Sequence, residues 1–318
     1  MKTERNTWLG IAFGAGAGAC WGLVFIAPEL ASDFTALQLS AARYIGYGLL
    51  AAALIAPRWR RLAPQVHAAE WRALFGLSLL GNIFYYVLLA GAVQRGGVAM
   101  TSLVIGFLPV AVTVIGSRRE GAVPLGRLAL SLLLATLGIA CVGWQSLGLA
   151  SGVPLATRVV GFGCAVGALV SWTAYAVLNS RWLERLEHLS SDDWNLLTGL
   201  MTGAQALVLA VPAFLVLAVD PAADAHTGAQ WLRFLAVSAG LALIASMLGN
   251  AFWNRASRLL PLTLVGQMIL FETLFALLYG FVWERRLPTL LEAVAMLLVT
   301  ASVLSCISAH RAHPPAHG

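Results

Sequence analysis

The chain has 318 residues, of which 59% are hydrophobic and 11% charged, and a mean hydropathy of +0.82. Soluble domains carry about 25% charged residues, so a pair of soluble domains is excluded and a polytopic membrane protein is indicated. The net charge of +6 does not imply nucleic acid. The basic residues fall in short breaks between apolar runs, where lipid headgroups read them.

In chain order, ten spans are expected at residues 7–29, 34–56, 70–94, 96–117, 124–146, 159–181, 193–219, 230–254, 260–283 and 289–309. A bilayer core needs about 20 apolar residues in a helix, and stretches such as Asn6 to Pro28 carry no charge at all. The N-terminal MKTERNTW leads into a run too long for a signal peptide, so span 1 is read as a retained membrane helix. Span 1 also holds Gly10, Gly14, Gly16 and Gly18, whose four-residue spacings allow close helix contact, for packing, rocking or a homodimer. Cys20, Cys141, Cys164 and Cys306 lie inside apolar runs without CxxC spacing and read as buried thiols, not metal ligands.

Polar and aromatic residues interrupt the spans at helical spacing. Span 1 has Trp21, and span 3 has Asn82, Tyr85 and Tyr86, with Asn82 and Tyr86 on one face. Span 6 has Trp172, Tyr175 and Asn179, span 8 has Asn250, Trp253 and Asn254, and span 9 adds Gln267. Trp21, Asn82, Tyr86, Trp172, Tyr175, Asn179, Asn250 and Gln267 are the candidate lining of a solute cavity, with rings for apolar parts and amides for polar ends. Trp8, Trp59, Trp71, Trp231 and Trp283 lie where headgroup anchors belong.

Two charges fall deep within spans, Arg43 in span 2 and Glu272 in span 9. A carboxylate at the bilayer centre costs at least a few kcal/mol, so it faces the protein interior or a water-filled cavity. Glu272 is a candidate proton-coupling group and Arg43 a candidate anchor for a solute carboxylate. The alternative is that they pair as a structural lock.

Fourteen of the twenty Lys and Arg residues fall on the side that holds the N-terminus and five on the other. That bias places both termini in the cytoplasm. The chain also repeats itself. Leu9-Gly10, Gly16 and Trp21 return as Val160-Gly161, Gly167 and Trp172, and Glu120-x-x-x-Pro124 returns as Glu284-x-x-x-Pro288. Five spans per copy is an odd number, so the second copy is inverted, and solute sites in such proteins lie near the midplane between the copies. The expected organisation is a first repeat at 7–146, a second at 159–309 and a disordered tail at 310–318.

With the ACWG stretch at Ala19 to Gly22, Arg43, Pro109, Trp172 and Glu284 before Pro288, the chain resembles the drug/metabolite transporter superfamily in its ten-helix EamA-type branch. The resemblance covers residues 7–309 and implies an all-α fold of two inverted five-helix halves around a central cavity. It further implies export of small metabolites such as amino acids by alternating access. Two departures stand out. Thr273 occupies the place of Pro109 in the second half, so a helix break expected by symmetry is missing there, and FETLF around Glu272 lies outside the common pattern.

The expectation is therefore an inner-membrane secondary transporter exporting amino-acid-like solutes, with protons as the candidate coupling ion and no cofactor or metal. Proton-coupled efflux of lipophilic cations is the alternative within transporters, and a lipid-modifying membrane enzyme the alternative outside them. The enzyme needs clustered His, Asp or Cys, whereas His67, His188 and His226 lie in loops and His310, His313 and His317 in the tail, none near Glu272 in sequence. No Walker-type motif suggests ATP drive.

Overall fold

A computed structural model describes residues 2–118, 122–147, 154–216 and 226–311. Among these the regular structure is all helical. The longer helices are α1 Lys2–Gly22, α2 Ala36–Ile55, α3 Ala68–Ser78, α4 Phe84–Ile105, α5 Leu108–Gly116, α6 Leu125–Leu147 and α7 Leu155–Arg185, then α8 Ser191–Val211, α9 Gly228–Leu241, α10 Gly249–Leu259, α11 Leu262–Met268, α12 Leu270–Glu284 and α13 Leu290–Arg311. Two π-helical segments, Leu79–Ile83 and Ala242–Leu248, join α3 to α4 and α9 to α10.

Among the described residues, seven segments are long and apolar enough to cross a membrane, and Leu125–Cys141 is a shorter apolar helix. This is fewer than the ten spans expected. The expected break at Arg95–Gly96 is not there either, because α4 runs on to Ile105. Pro109 explains the observed end: a proline removes one helix bond and its ring clashes with the carbonyl four residues back, which is that of Ile105. The same rule ends α12 at Glu284, four residues before Pro288. There Arg285 takes a left-handed conformation with φ 51°, and Arg286 N–H donates to Phe281 O at 3.1 Å.

The break thought missing near Thr273 is present without a proline. It falls at Ile269, where Glu272 N–H bonds back to Ile269 O at 3.0 Å and α11 ends before α12 begins. Packing on either side accounts for it. A Cβ at Gly266 would lie 2.7 Å from Thr113 Oγ1, fixing α11 on α5, and one at Gly18 would lie 2.6 Å from Phe271 Cβ, fixing α12 on α1.

The glycines of α1 resolve in the same way. Gly10 meets Leu260, Gly14 meets Met268, Gly18 meets Phe271 and Gly22 meets Phe275 and Ala276, so the stripe seats α1 along α10 to α12 of its own chain. The other main helix pairs are α2 with α8, α4 with α7, α5 with α11 and α6 with α13. α2 and α8 cross where Gly48 and Gly203 abut, a Cβ on either falling 2.6 Å from the other's Cα. Leucines, valines and phenylalanines such as Leu49, Phe162, Val208 and Leu297 are exposed on the outside, as a lipid-facing surface requires. Trp8, Trp59, Trp231 and Trp283 are also exposed. His310 and Arg311 complete α13, and residues 312–318, like Glu120 and the side chain of Glu284, lie outside the described residues.

Candidate functional site

The break before α12 puts Glu272 in the first turn of a helix that starts inside the bundle. The interruption is one tight turn: Ile269 keeps helical dihedrals, and Glu272 N–H bonds back to Ile269 O. Glu272 is half-buried although it lies deep among packed helices, the combination expected of a side chain facing an internal space.

Arg43 faces the same interior from α2. It is buried, its Nε donates to Ser246 Oγ at 2.9 Å, and its guanidinium carbon sits 5.0 Å from the ring centre of Tyr44. That is its one side-chain hydrogen bond among the described residues. Glu272 and Arg43 form no ion pair with one another, and Glu272, like Tyr85, makes no side-chain hydrogen bond among the described residues. Tyr44 meets Tyr86 edge to face at 6.5 Å, which completes a cluster of Arg43, Tyr44, Tyr85, Tyr86 and Glu272. A cavity of about 430 Å³ opens elsewhere, at the ends of α1 and α12, against Leu23, Ile26, Tyr279 and Trp283. Tyr279 stands two turns from Glu272 on the same face of α12, so this cavity lies along the face that carries the carboxylate.

Trp21, Trp172 and Trp253 form a second cluster, with ring centres 5.4–6.1 Å apart, and Tyr175 joins Trp172 at 5.8 Å. The π segments position it. Trp21 Nε1 donates to Ala245 O at 3.0 Å in one, and Ser171 Oγ donates to Leu80 O at 2.8 Å in the other. Such segments leave carbonyls outside the helical ladder, free to accept side-chain bonds.

The remaining amides are tied into helix contacts. Asn82 donates to Thr202 at 3.2 Å, and Asn250 lies beside Tyr47. Asn179 donates to Asn254 at 3.0 Å and accepts from Trp194 Nε1 at 2.9 Å. Gln267 donates to Thr113 at 3.1 Å and accepts from Ser131 and Ser302 at 3.2 and 3.0 Å, a node joining four helices. Asn82, Asn179 and Gln267 thus have their amides engaged between helices, while Glu272, Tyr85 and Tyr86 make no side-chain hydrogen bond among the described residues. Ser246 and Tyr44 were not singled out by spacing. A serine in an apolar run and a tyrosine beside an arginine carry no distinct pattern.

The structure also brings together residues that the sequence keeps apart. His67, at the start of α3, and His188, between α7 and α8, flank the buried Glu70.

These features define a helical membrane protein with an unpaired polar cluster at a broken helix in its interior. A family model, the EamA-like transporter family, matches residues 8–144. The inner membrane protein YtfF of Escherichia coli (strain K12) is 31% identical over 316 residues, covering 96% of this chain and 97% of its own length. The chain belongs to the EamA-like transporter family, within the drug/metabolite transporter superfamily. A solved crystal structure of a protein 17% identical aligns with 96% of this chain and 99% of its own at a TM-score of 0.75, a likeness of fold.

Proposed function

We propose that the protein is a secondary transporter of the inner membrane that exports amino-acid-like metabolites by alternating exposure of a site between two inverted five-helix halves, residues 7–146 and 159–309. The observation that carries this reading is that the two charges set within the bundle, Arg43 buried on α2 and Glu272 in the first turn of α12, form no ion pair with one another. Buried charges are costly unless paired. A zwitterionic solute completes both, its carboxylate on the Arg43 guanidinium and its ammonium on Glu272 among the tyrosine rings. Glu272 then exchanges a proton for the solute, which couples export to the proton gradient.

Several features support the two halves. The π segment Leu79–Ile83 lies 164 residues before 243–247, inside the π segment Ala242–Leu248, the same offset that relates Pro124 to Pro288. Trp21 of one half reaches Ala245 in the other, and Ser171 of the second reaches Leu80 in the first. The family model's span of 8–144 matches the extent of the first half. The bias of Lys and Arg supports cytoplasmic termini.

A second reading, efflux of lipophilic cations, is favoured by the tyrosine rings beside Glu272 and opposed by the cationic Arg43. The test offers labelled amino acids and a lipophilic cation separately to liposomes holding wild type or Arg43→Gln. The expected result is amino-acid exchange by wild type that Arg43→Gln loses. Exchange confined to the cation, and surviving in Arg43→Gln, supports the second reading instead.

A further inference from the structure

We propose that His67, Glu70 and His188 form a binding site for a divalent transition-metal ion of the zinc kind, at the end of the bundle where α3 begins and α7 gives way to α8. The site is separate from the transport cluster. From Arg43 the chain must climb twelve residues of α2, about 18 Å, before reaching the loop that holds His67.

The geometry fits such an ion. Glu70 Oε1 lies 3.1 Å from His188 Nε2, and Glu70 Oε2 lies 3.5 Å from His67 Nδ1. One ligand atom from each of the three falls within 4.8 Å of the others. A tetrahedral zinc ion holds nitrogen and oxygen ligands at about 2.0–2.2 Å, which sets neighbouring ligands about 3.3–3.5 Å apart. Two imidazoles and one carboxylate are also a ligand set that leaves one position for water.

The burial pattern is the second argument. Glu70 is 5% exposed, and among the described residues no Lys or Arg pairs with it. Both oxygens of this buried carboxylate face imidazole nitrogens, and a metal ion held among the three would supply charge to offset its burial. Backbone N–H of His67 donates to Oε2 at 2.8 Å, fixing the carboxylate as outer partners fix metal ligands. The imidazoles themselves are open to solvent, with side chains 72% and 39% exposed, so an ion can reach them. The two rings stand nearly perpendicular, at 82°, with centres 5.5 Å apart, and each turns one nitrogen towards the carboxylate. An ion held here ties the start of α3 to the turn after α7.

Full-length protein carrying His313→Gln and His317→Gln, which removes two tail imidazoles, is titrated with Co²⁺ and followed by visible absorption. The expected result is one Co²⁺ per chain with the intense bands of a four-coordinate ion, displaced by Zn²⁺. His188→Ala, a change at a solvent-open turn, is expected to weaken binding at least about tenfold, the scale of even outer-shell losses. Glu70→Gln is expected to do the same. Zn²⁺ should raise the unfolding temperature of the parent and not of His188→Ala. Absence of saturable binding, or binding that His188→Ala leaves unchanged, overturns the site.

Discussion

A Cβ placed on Gly18 would stand 2.7 Å from the backbone nitrogen of Glu272, so α1 rests directly on the break that begins α12. Gly18→Ala must push the two apart. Overpacking of this kind costs about 1–3 kcal/mol. Thermal unfolding of the purified protein should show Gly18→Ala well below wild type. Gly280→Ala, in the same α12 with nothing within 4 Å of the added carbon, should show no loss.

Gln267 holds Thr113, Ser131 and Ser302 together in a fully buried node. Gln267→Leu leaves those hydroxyls to find other partners and is expected to cost about 1–3 kcal/mol. Unfolding midpoints in detergent check this. An unchanged midpoint would mean that the node contributes nothing net.

The left-handed backbone at Arg285 is a conformation that costs a non-glycine residue about 1–2 kcal/mol. Arg285→Gly should therefore raise stability, by about 0.5–1 kcal/mol once the added freedom of the unfolded chain is counted. The same unfolding assay reads the gain.

Asp33, in the loop before α2, has its carboxyl held below the ordinary range, first by the Gln230 side chain and then by Arg233. Gln230 Nε2 donates to Asp33 Oδ1 at 2.9 Å, and Arg233 bonds its other oxygen. The folded value is depressed, so the stabilisation is fully present above the ordinary value of 3.8 and lost as pH falls through the folded one. The difference in unfolding temperature between wild type and Asp33→Asn should thus hold constant near neutrality and shrink below about pH 4. A difference that grows on acidification would reverse the sign of this account.

Part of the candidate cluster is legible in the chain. Arg43 and Glu272 are conspicuous because a charge inside an apolar run has few tolerable places to go; the fold buries Arg43 and sets Glu272 in the first turn of α12. The repeat of Trp21 at Trp172 was visible too, and the two rings meet at 6.1 Å. Boundaries were harder. Arg95 reads as a break between two spans at 70–94 and 96–117, yet the helix continues until Pro109 blocks the carbonyl of Ile105. The break at Ile269 carries no proline or charge, since packing at Gly266 and Gly18 makes it. The carbonyls of Leu80 and Ala245 in the π segments take bonds from Ser171 and Trp21, and Ser246 takes one from Arg43, all far away in sequence, so nothing local marks these positions. His67 and His188 read as loop residues because nothing local relates positions 121 apart to one buried Glu70.

The most direct test of the transport account is counterflow in liposomes with wild type and Glu272→Gln across a range of pH. The account predicts that wild type exchanges labelled amino acids with a marked pH dependence, and that Glu272→Gln still exchanges them with that dependence gone. Exchange by Glu272→Gln that matches wild type at every pH would contradict it and return Glu272 to a purely structural place in the bundle.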